Sequence, residues 1–487
     1  MENEALKQGL EQNQIDYVFA ELNYYKSLRA HYLPIVGEPS IIDGVWQNDS
    51  LISTVYIKQK FLEEMKLLED SIELDWQPNT NETVRNLIHP SLYPLLITKT
   101  IQGRPYCETE DLDYDQDPIV ILERMSKRKK ITPAPTISRE YQWLPAEFKI
   151  DSSGNVEIQS TINNLHPKFK STYDIIGKVF SRFVPLFDQV LTDLLSPSKN
   201  RINSYNWYDY KADDVNYKDV NADVDDDDYN EFDKYKFIKP SIPKFDENAE
   251  LENYKSKKMY TIKGKTVQVI VKIATILLTP EKSKYDFGDW HVEGMQNESI
   301  VASGIYYYES KNITDSRIFK EKGYSPTLLS FRRAVCDPLY PQNDDKGVLN
   351  VYNLESGNMM NEFLGSIETV EDRCIAFPNI LQHRVEPFEL LDKTQPGTRK
   401  IMVFFLVDPN KRITSTLEVP YQQRSWLLEE LTILDKHLVD IVLDYCDWII
   451  SREQAHKHRA LLMSERKKGQ RKINEEIYNR EFSLCEH

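Results

Sequence analysis

The stretch Thr266–Tyr308, TVQVIVKIATILLTPEKSKYDFGDWHVEGMQNESIVASGIYYY, decides how the rest of the chain is read. Its opening run, Thr266–Leu278, is β-branched and nearly continuous, the pattern of a strand buried on both faces. Its closing run, Ser299–Tyr308, reads as a second strand. Between them lies His291-Val292-Glu293-Gly294. Side chains alternate along extended backbone, so His291 and Glu293 point the same way. Two histidines and one carboxylate are the set that suits non-haem Fe(II), and this pair supplies two of the three. His383 is the expected third.

The motif alone weighs little. With nine histidines and an acid at about one position in six, roughly one H-x-[DE] is expected by chance, and His291-Val292-Glu293 is the one present. Its surroundings raise its weight. It sits between two strands, and His383 opens a further strand at Gln382–Pro387. Gly397-Thr398-Arg399 then begins an apolar strand, Arg399–Val407, in which Arg399 and Lys400 fall on opposite faces. One of them points inward, and a buried cation needs an anionic partner. A planar guanidinium suits a carboxylate in two-point contact. The plainer readings of Arg399 are a structural ion pair or a strand-end residue reaching for solvent.

Outward from this centre, Lys346–Val351 and Thr369–Phe377 read as further short strands. Residues 246–420 therefore form an all-β block, a double sheet wrapped around a small site. Residues 1–195 are mainly helical. Ile57, Phe61, Met65 and Leu68 repeat at helical spacing, with Asp49 and Ser50 as caps. Leu92–Ile101 fits helix or strand. Ile150–Ile162 reads as a hairpin around Ser153-Gly154-Asn155, and Ser171–Leu195 as a strong helix that Pro185 should kink or split. Residues 421–487 form a helical extension. In it Ser425–Ile450 is apolar all round and should pack on the β block, while Arg452–Lys472 is a basic helix with a solvated face.

Residues 196–245 are an acidic insertion. Asp225–Asp228 lies in a segment too poor in aliphatics to order itself, and it lacks the spacing of an EF-hand calcium loop. Lys127–Lys130 is a short basic cluster, read as a solvated loop rather than a phosphate site. The net charge of −16 over 487 residues argues against broad nucleic-acid binding. Five scattered cysteines without a CxxC pair support neither a disulfide framework nor a zinc knuckle. The polar start is no signal peptide, and no apolar run is long enough to span a bilayer. An intracellular setting, cytoplasmic or nuclear, is expected. Asn297 and Asn312 sit in chance sequons. His89 and His166 precede prolines and should fix turns. His456 and His458, two apart, do not share a helix face.

His291-x-Glu293, then His383, then Arg399 after Gly397, resembles the pattern of Fe(II)/2-oxoglutarate-dependent oxygenases on a double-stranded β-helix. More closely, the chain resembles a fungal family known only as a domain of unknown function. The resemblance runs through D43GVW46, L87IHPSLYPL95, W143LPAEF148, I162NNLHP167, Q268VIVKIATILLTPEK282, W290HVEG294, N297E298, G304IYYYES310, N312ITDS316, P378NILQHRVEPF388, G397TRKIMVFFLVDP409 and V419PYQQ423. It implies an α+β fold with a jelly-roll, cupin-like core and helices packed around it. It implies that His291, Glu293 and His383 hold Fe(II). Arg399 would hold the distal carboxylate of 2-oxoglutarate, with O2 as the other reactant. The substrate would be a small molecule or a protein side chain. Two departures stand out. The carboxylate is Glu where most such oxygenases use Asp, and Ile401 occupies the usual hydroxyl position. A hydroxyl partner is therefore sought at Thr275, Tyr306 or Tyr308, and Lys400 is the alternative anchor. Two other readings compete: a cupin-like metalloprotein of different chemistry, and a non-catalytic scaffold that keeps the fold.

Overall fold

The computed structural model describes residues 6–100, 137–197, 242–314 and 327–484, plus the small hairpin 210–212 with 235–237. Within those spans positions 7, 8, 33–36, 53, 54, 98, 100, 287, 339, 341–343, 433 and 447 are left out. The Lys127–Lys130 cluster, most of the acidic insertion, Cys107 and Cys485 lie outside the described residues.

The centre is the Thr266–Leu278 strand. It pairs antiparallel with Gly397–Val407 along ten rungs, from Val269 opposite Leu406 to Leu278 opposite Gly397. Ile300–Lys311 flanks Gly397–Val407 on its other side, followed outward by Cys374–Pro378, Trp46–Asn48 and Glu38–Pro39. Ala146–Ile150 and Val156–Ile158, the expected hairpin, extend the opposite edge, and Val84–Ile88 also pairs with the central strand. The result is a nine-stranded antiparallel sheet. A second sheet holds Asn361–Glu368, Leu328–Ala334 and Gln382–Val385.

Alternation gives the large sheet two apolar faces. Val269, Val271, Ile273, Met402, Phe404 and Leu406 meet the Lys170–Leu195 helix through Phe180, Phe183 and Phe187. The approach is close enough that a Cβ at Gly304 would lie 2.8 Å from Phe183, so only glycine fits there. Pro185 neither splits this helix nor ends it. The other face, with Ile270, Val403, Phe405 and Tyr307, packs on Leu329, Phe331 and Ile367 of the smaller sheet. The larger core cluster mixes residues from both halves of the chain, Tyr24 to Leu406.

Several expectations are corrected. Lys346–Val351 is not a strand: Asp345–Tyr352 is a helix, because the Asp344 carboxylate caps it by accepting from the Gly347 N–H. Asn361–Glu368 is a strand that the pattern did not suggest. Ser425–Ile450 is not one packed helix. It divides into Arg424–Glu430 and Lys436–Asp444, the second capped by Asp435, and Leu438, Ile441 and Val442 stay exposed. Arg452–Ile473 is helical, yet its face is not simply solvated, since Arg459 is buried and holds Asp75 at 2.6 Å. No helix among the described residues is long and apolar enough to cross a membrane.

Candidate metal centre

Beyond Leu278 the chain turns back and forms a short strand, Lys284–Tyr285, against Phe388–Glu389. It then runs irregularly to Ile300. His291 meets His383 within this segment in an isolated antiparallel bridge. The His291 N–H donates to the His383 carbonyl at 3.2 Å, and the His383 N–H donates to the His291 carbonyl at 3.0 Å. The bridge sets the two rings 4.4 Å apart between centroids. Glu293 Oε1 lies 3.6 Å from His291 Nε2 and 3.3 Å from His383 Nε2. One ligand atom from each of the three falls within 4.8 Å of the others. The structure thus brings together the three residues expected to converge.

The local sequence explains the geometry. Gly294 has φ +71, and a Cβ there would meet Ile300 Cδ1 at 2.7 Å, so glycine must follow Glu293. Asn379 pins the same turn from both sides. Its Oδ1 accepts from the Glu293 N–H at 2.7 Å, and its Nδ2 donates to the carbonyls of Glu293 and Ile300, each at 2.9 Å. His291 Nδ1 donates to the Asp289 carbonyl at 2.7 Å. That contact leaves the Nε2 lone pair toward the cluster, the orienting role common for ligating histidines.

The charges fit a cation. Burial pushes the Glu293 carboxyl upward, but its hydrogen bonds to His291 and His383 outweigh burial and hold it well below the usual carboxylate range. Burial also works to lower His291, and Glu293 reverses this, so its pKa ends above the ordinary imidazole value. His383 ends below it, through burial and the neighbouring His291 charge. A carboxylate among imidazole nitrogens is a donor set that a metal ion can occupy, displacing protons from the imidazoles.

Arg399 is 2% exposed and shares its strand face with Val403 and Phe405. Its Nη2 donates to Thr369 Oγ1. Its guanidinium carbon stands 4.8 Å from the Tyr307 ring centre and 5.0 Å from that of Phe388. Nε and Nη1 are buried without a hydrogen-bond partner. No carboxylate pairs with Arg399 among the described residues. Lys400, on the other face, holds Glu69 at 2.7 Å and Glu309 at 3.5 Å, so it is spoken for. Tyr306 and Tyr308 pack on Phe61 on the helix side, and Thr275 stands opposite Lys400 in register. None of the three expected hydroxyls reaches Arg399; Thr369 does. No spacing marks Thr369, because it reaches the site from the turn after Asn361–Glu368.

Four other histidines, His89, His166, His456 and His458, make structural contacts. His89 Nδ1 accepts from the Ser91 N–H at 3.1 Å and His166 Nδ1 from the Lys168 N–H at 3.0 Å, each fixing the turn at its proline. His458 meets the Tyr141 hydroxyl, and His456 lies against Arg459.

The C-terminal segment braces the centre, and sequence reading missed it. Glu298, fully buried, accepts from the Trp143 N–H at 2.7 Å and from the Met295 N–H at 2.6 Å, and pairs with Arg466. Gln382, next to His383, donates from Nε2 to Asn474 Oδ1, while Asn474 Nδ2 donates to the Trp290 carbonyl, next to His291, at 3.2 Å. The Tyr478 hydroxyl donates to the Ile380 carbonyl at 2.7 Å.

Comparison with known proteins gives a family and loose structural likenesses. The family described as "Protein of unknown function (DUF4246)" matches residues 12–430. No curated protein matches the chain. Among solved structures, an Fe(II)/(alpha)ketoglutarate-dependent dioxygenase, TqaL, is similar at 12% identity, covering 73% of this chain and 90% of its own, with a TM-score of 0.24. A prolyl hydroxylase in complex with a hypoxia inducible factor peptide fragment, from Trichoplax adhaerens, is similar at 8% identity over 82% and 92%, TM-score 0.25. A bsmA homolog from Methylobium petroleophilum PM1 is similar at 7% over 78% and 92%, TM-score 0.27. Superpositions this loose carry no argument about chemistry.

Proposed function

Starting from the premise that the chain belongs to the DUF4246 family of unknown function, we propose that it is a non-haem Fe(II)- and 2-oxoglutarate-dependent oxygenase. Its core would be a double-stranded β-helix formed by the two facing sheets. The observation that supports this reading is a pairing in one chain: a His–Glu–His cluster, and a buried guanidinium with two unpartnered nitrogens on the strand face turned toward the smaller sheet. An isolated buried cation is costly unless an anion joins it.

In this reading His291, Glu293 and His383 hold the metal, and Arg399 receives the distal carboxylate of the keto acid. Bound there, Fe(II), 2-oxoglutarate and O2 supply the oxidation of a substrate C–H bond, with succinate and CO2 as products. The chain does the rest. The Asp289 carbonyl fixes the His291 tautomer, and Asn379 holds the Glu293 backbone in place. Thr369 Oγ1 steadies the guanidinium so that its free edge meets the carboxylate in two-point contact. Tyr307 and Phe388 exclude water from that contact and strengthen it. The oxidised molecule would be a small molecule or a protein side chain.

The test is direct. Purified protein supplied with Fe(II), 2-oxoglutarate and O2 should convert the keto acid to succinate, slowly even without substrate. His291→Ala, Glu293→Ala and His383→Ala should each stop it. Equal turnover in parent and variants would sink the reading, as would no turnover under any of these conditions.

A further inference from the structure

A second cation points between the sheets. Ile270, Lys272, Ala274 and Ile276 share one side of the Thr266–Leu278 strand. Ile270 on this side packs with Val403 and Phe405, whereas Val269, Val271 and Ile273 on the other side pack on the long helix. Lys272 stands opposite Val403, and Ile276 opposite Arg399. Lys272 is half-buried and makes no hydrogen bond or ion pair among the described residues. Arg399 and Arg332 are buried, likewise without an acid among the described residues, although Arg399 has Thr369 and Arg332 has Gln382. Four other cations are paired. Lys400 has Glu69, Arg412 has Glu147, Arg459 has Asp75 and Arg466 has Glu298.

The electrostatic neighbours locate the Lys272 ammonium. Burial pushes its pKa down, and Glu293 is the one acid whose field opposes this. His291 and His89 both feel its charge. At His89 the fields of Arg459 and Arg466 add to that of Lys272, and Glu293 opposes them. At Arg399 the fields named are those of Tyr307 and Tyr285. Along the strand the Lys272 and Arg399 rungs are four residues apart, about 13 Å at the usual rise. A keto acid reaching from the histidines toward Arg399 therefore runs away from Lys272. A divalent ion on Glu293 would also take up the carboxylate that now offsets the lysine.

We propose that Lys272 receives an acidic group of the molecule to be oxidised, so that the substrate carries a carboxylate or a phosphate. The word substrate rests on the oxygenase reading above; the anion site does not. A primary ammonium is a compact point charge that pairs with either group. On the strand face turned toward the smaller sheet, and within the field of Glu293 and His291, it would orient one end of the substrate.

Matched probes test this on the full chain loaded with Mn(II) and saturated with 2-oxoglutarate. Hexanoate and hexanamide match in size and shape but differ in charge and in the amide's N–H donors, and inorganic phosphate reports the bare anion. Calorimetry should find hexanoate at least about tenfold tighter than hexanamide, a gap of about 1.4 kcal/mol. Phosphate should compete with it. Lys272→Met should erase the gap, and Lys272→Arg should keep part of it. A gap that survives Lys272→Met, or no gap in the parent, would overturn the proposal. So would a loss of 2-oxoglutarate affinity in Lys272→Met as large as in Arg399→Met, because Lys272 would then belong to the keto acid. If 2-oxoglutarate fails to bind at all, the oxygenase reading fails by itself, and the hexanoate comparison still reads the anion site on the metal-loaded protein.

Discussion

Arg399 and Lys400 are neighbours in the chain, face opposite sides of one strand, and meet opposite fates. The lysine is held by Glu69 and Glu309, while the arginine has a threonine hydroxyl, two aromatic rings and no acid. Their substitutions should therefore separate stability from ligand binding. Lys400→Met strands the Glu69 carboxylate, while Glu309 keeps Lys311 and Thr398, and should cost about 1–3 kcal/mol in urea unfolding. Arg399→Met removes a buried charge that nothing neutralises, so the protein should be as stable as the parent or more so. It should weaken 2-oxoglutarate binding to the Mn(II) form by about 100-fold, the loss of a two-point charged contact. The reverse assignment, with Lys400→Met losing the keto acid, would make Lys400 the anchor.

Metal affinity should depend on pH in a set direction. Without an ion, Glu293 raises His291 above the ordinary imidazole value, which is about 6.5. Protonated His291 cannot bind, so a proton must leave when the metal enters. Above the raised pKa, affinity should be flat. As pH falls through that raised value it should weaken, reaching about tenfold per unit for one competing proton. Titration of Mn(II) or Co(II) from pH 9 to pH 5 checks this. An affinity that stays constant down to the ordinary imidazole value would show that His291 carries no shifted proton.

Gly294→Ala should act on the centre more than on the fold. Its φ of +71 and the close Ile300 Cδ1 both oppose a Cβ, at a cost of about 1–3 kcal/mol. The turn just after Glu293 must yield to relieve it. Weakened metal binding is expected, with urea unfolding reporting the smaller global change. A variant that binds metal like the parent would mean that the turn does not set the Glu293 position.

Much of this was legible before any coordinates. The β-branched run at Thr266–Leu278 announced a central strand, and alternation put Arg399 and Lys400 on opposite faces. His291 and Glu293 were paired by the same alternation, although an isolated bridge to His383 and the Asn379 contacts, not a regular strand, hold that segment. What stayed hidden depends on tertiary contact. Thr369 reaches Arg399 from a turn after an unforeseen strand, and Asn379 acts through backbone that is distant in sequence. Local chemistry misled in two places. Asp344 and Asp435 are helix caps, the first beside a run read as a strand and the second inside a run read as packed on the β block.

Asn474→Ala should loosen the centre without unfolding it. Asn474 touches neither histidine but contacts the residue before each. Supporting contacts of this kind are worth about 10–100-fold in metal affinity. Co(II) absorption should shift as the ligand geometry relaxes. The metal-free melting temperature should move by only a few degrees, about the worth of one hydrogen bond. Unchanged Co(II) spectra and affinity would leave Asn474 with a purely structural role.

That contact has a consequence for biogenesis. Asn474 lies 92 residues beyond Gln382 and 184 beyond Trp290. A nascent chain whose ribosome has released everything through the last strand still lacks the clip that aligns its two histidines. Ion capture would then wait until Asn474 has emerged, and a product cut before it would hold the ion poorly.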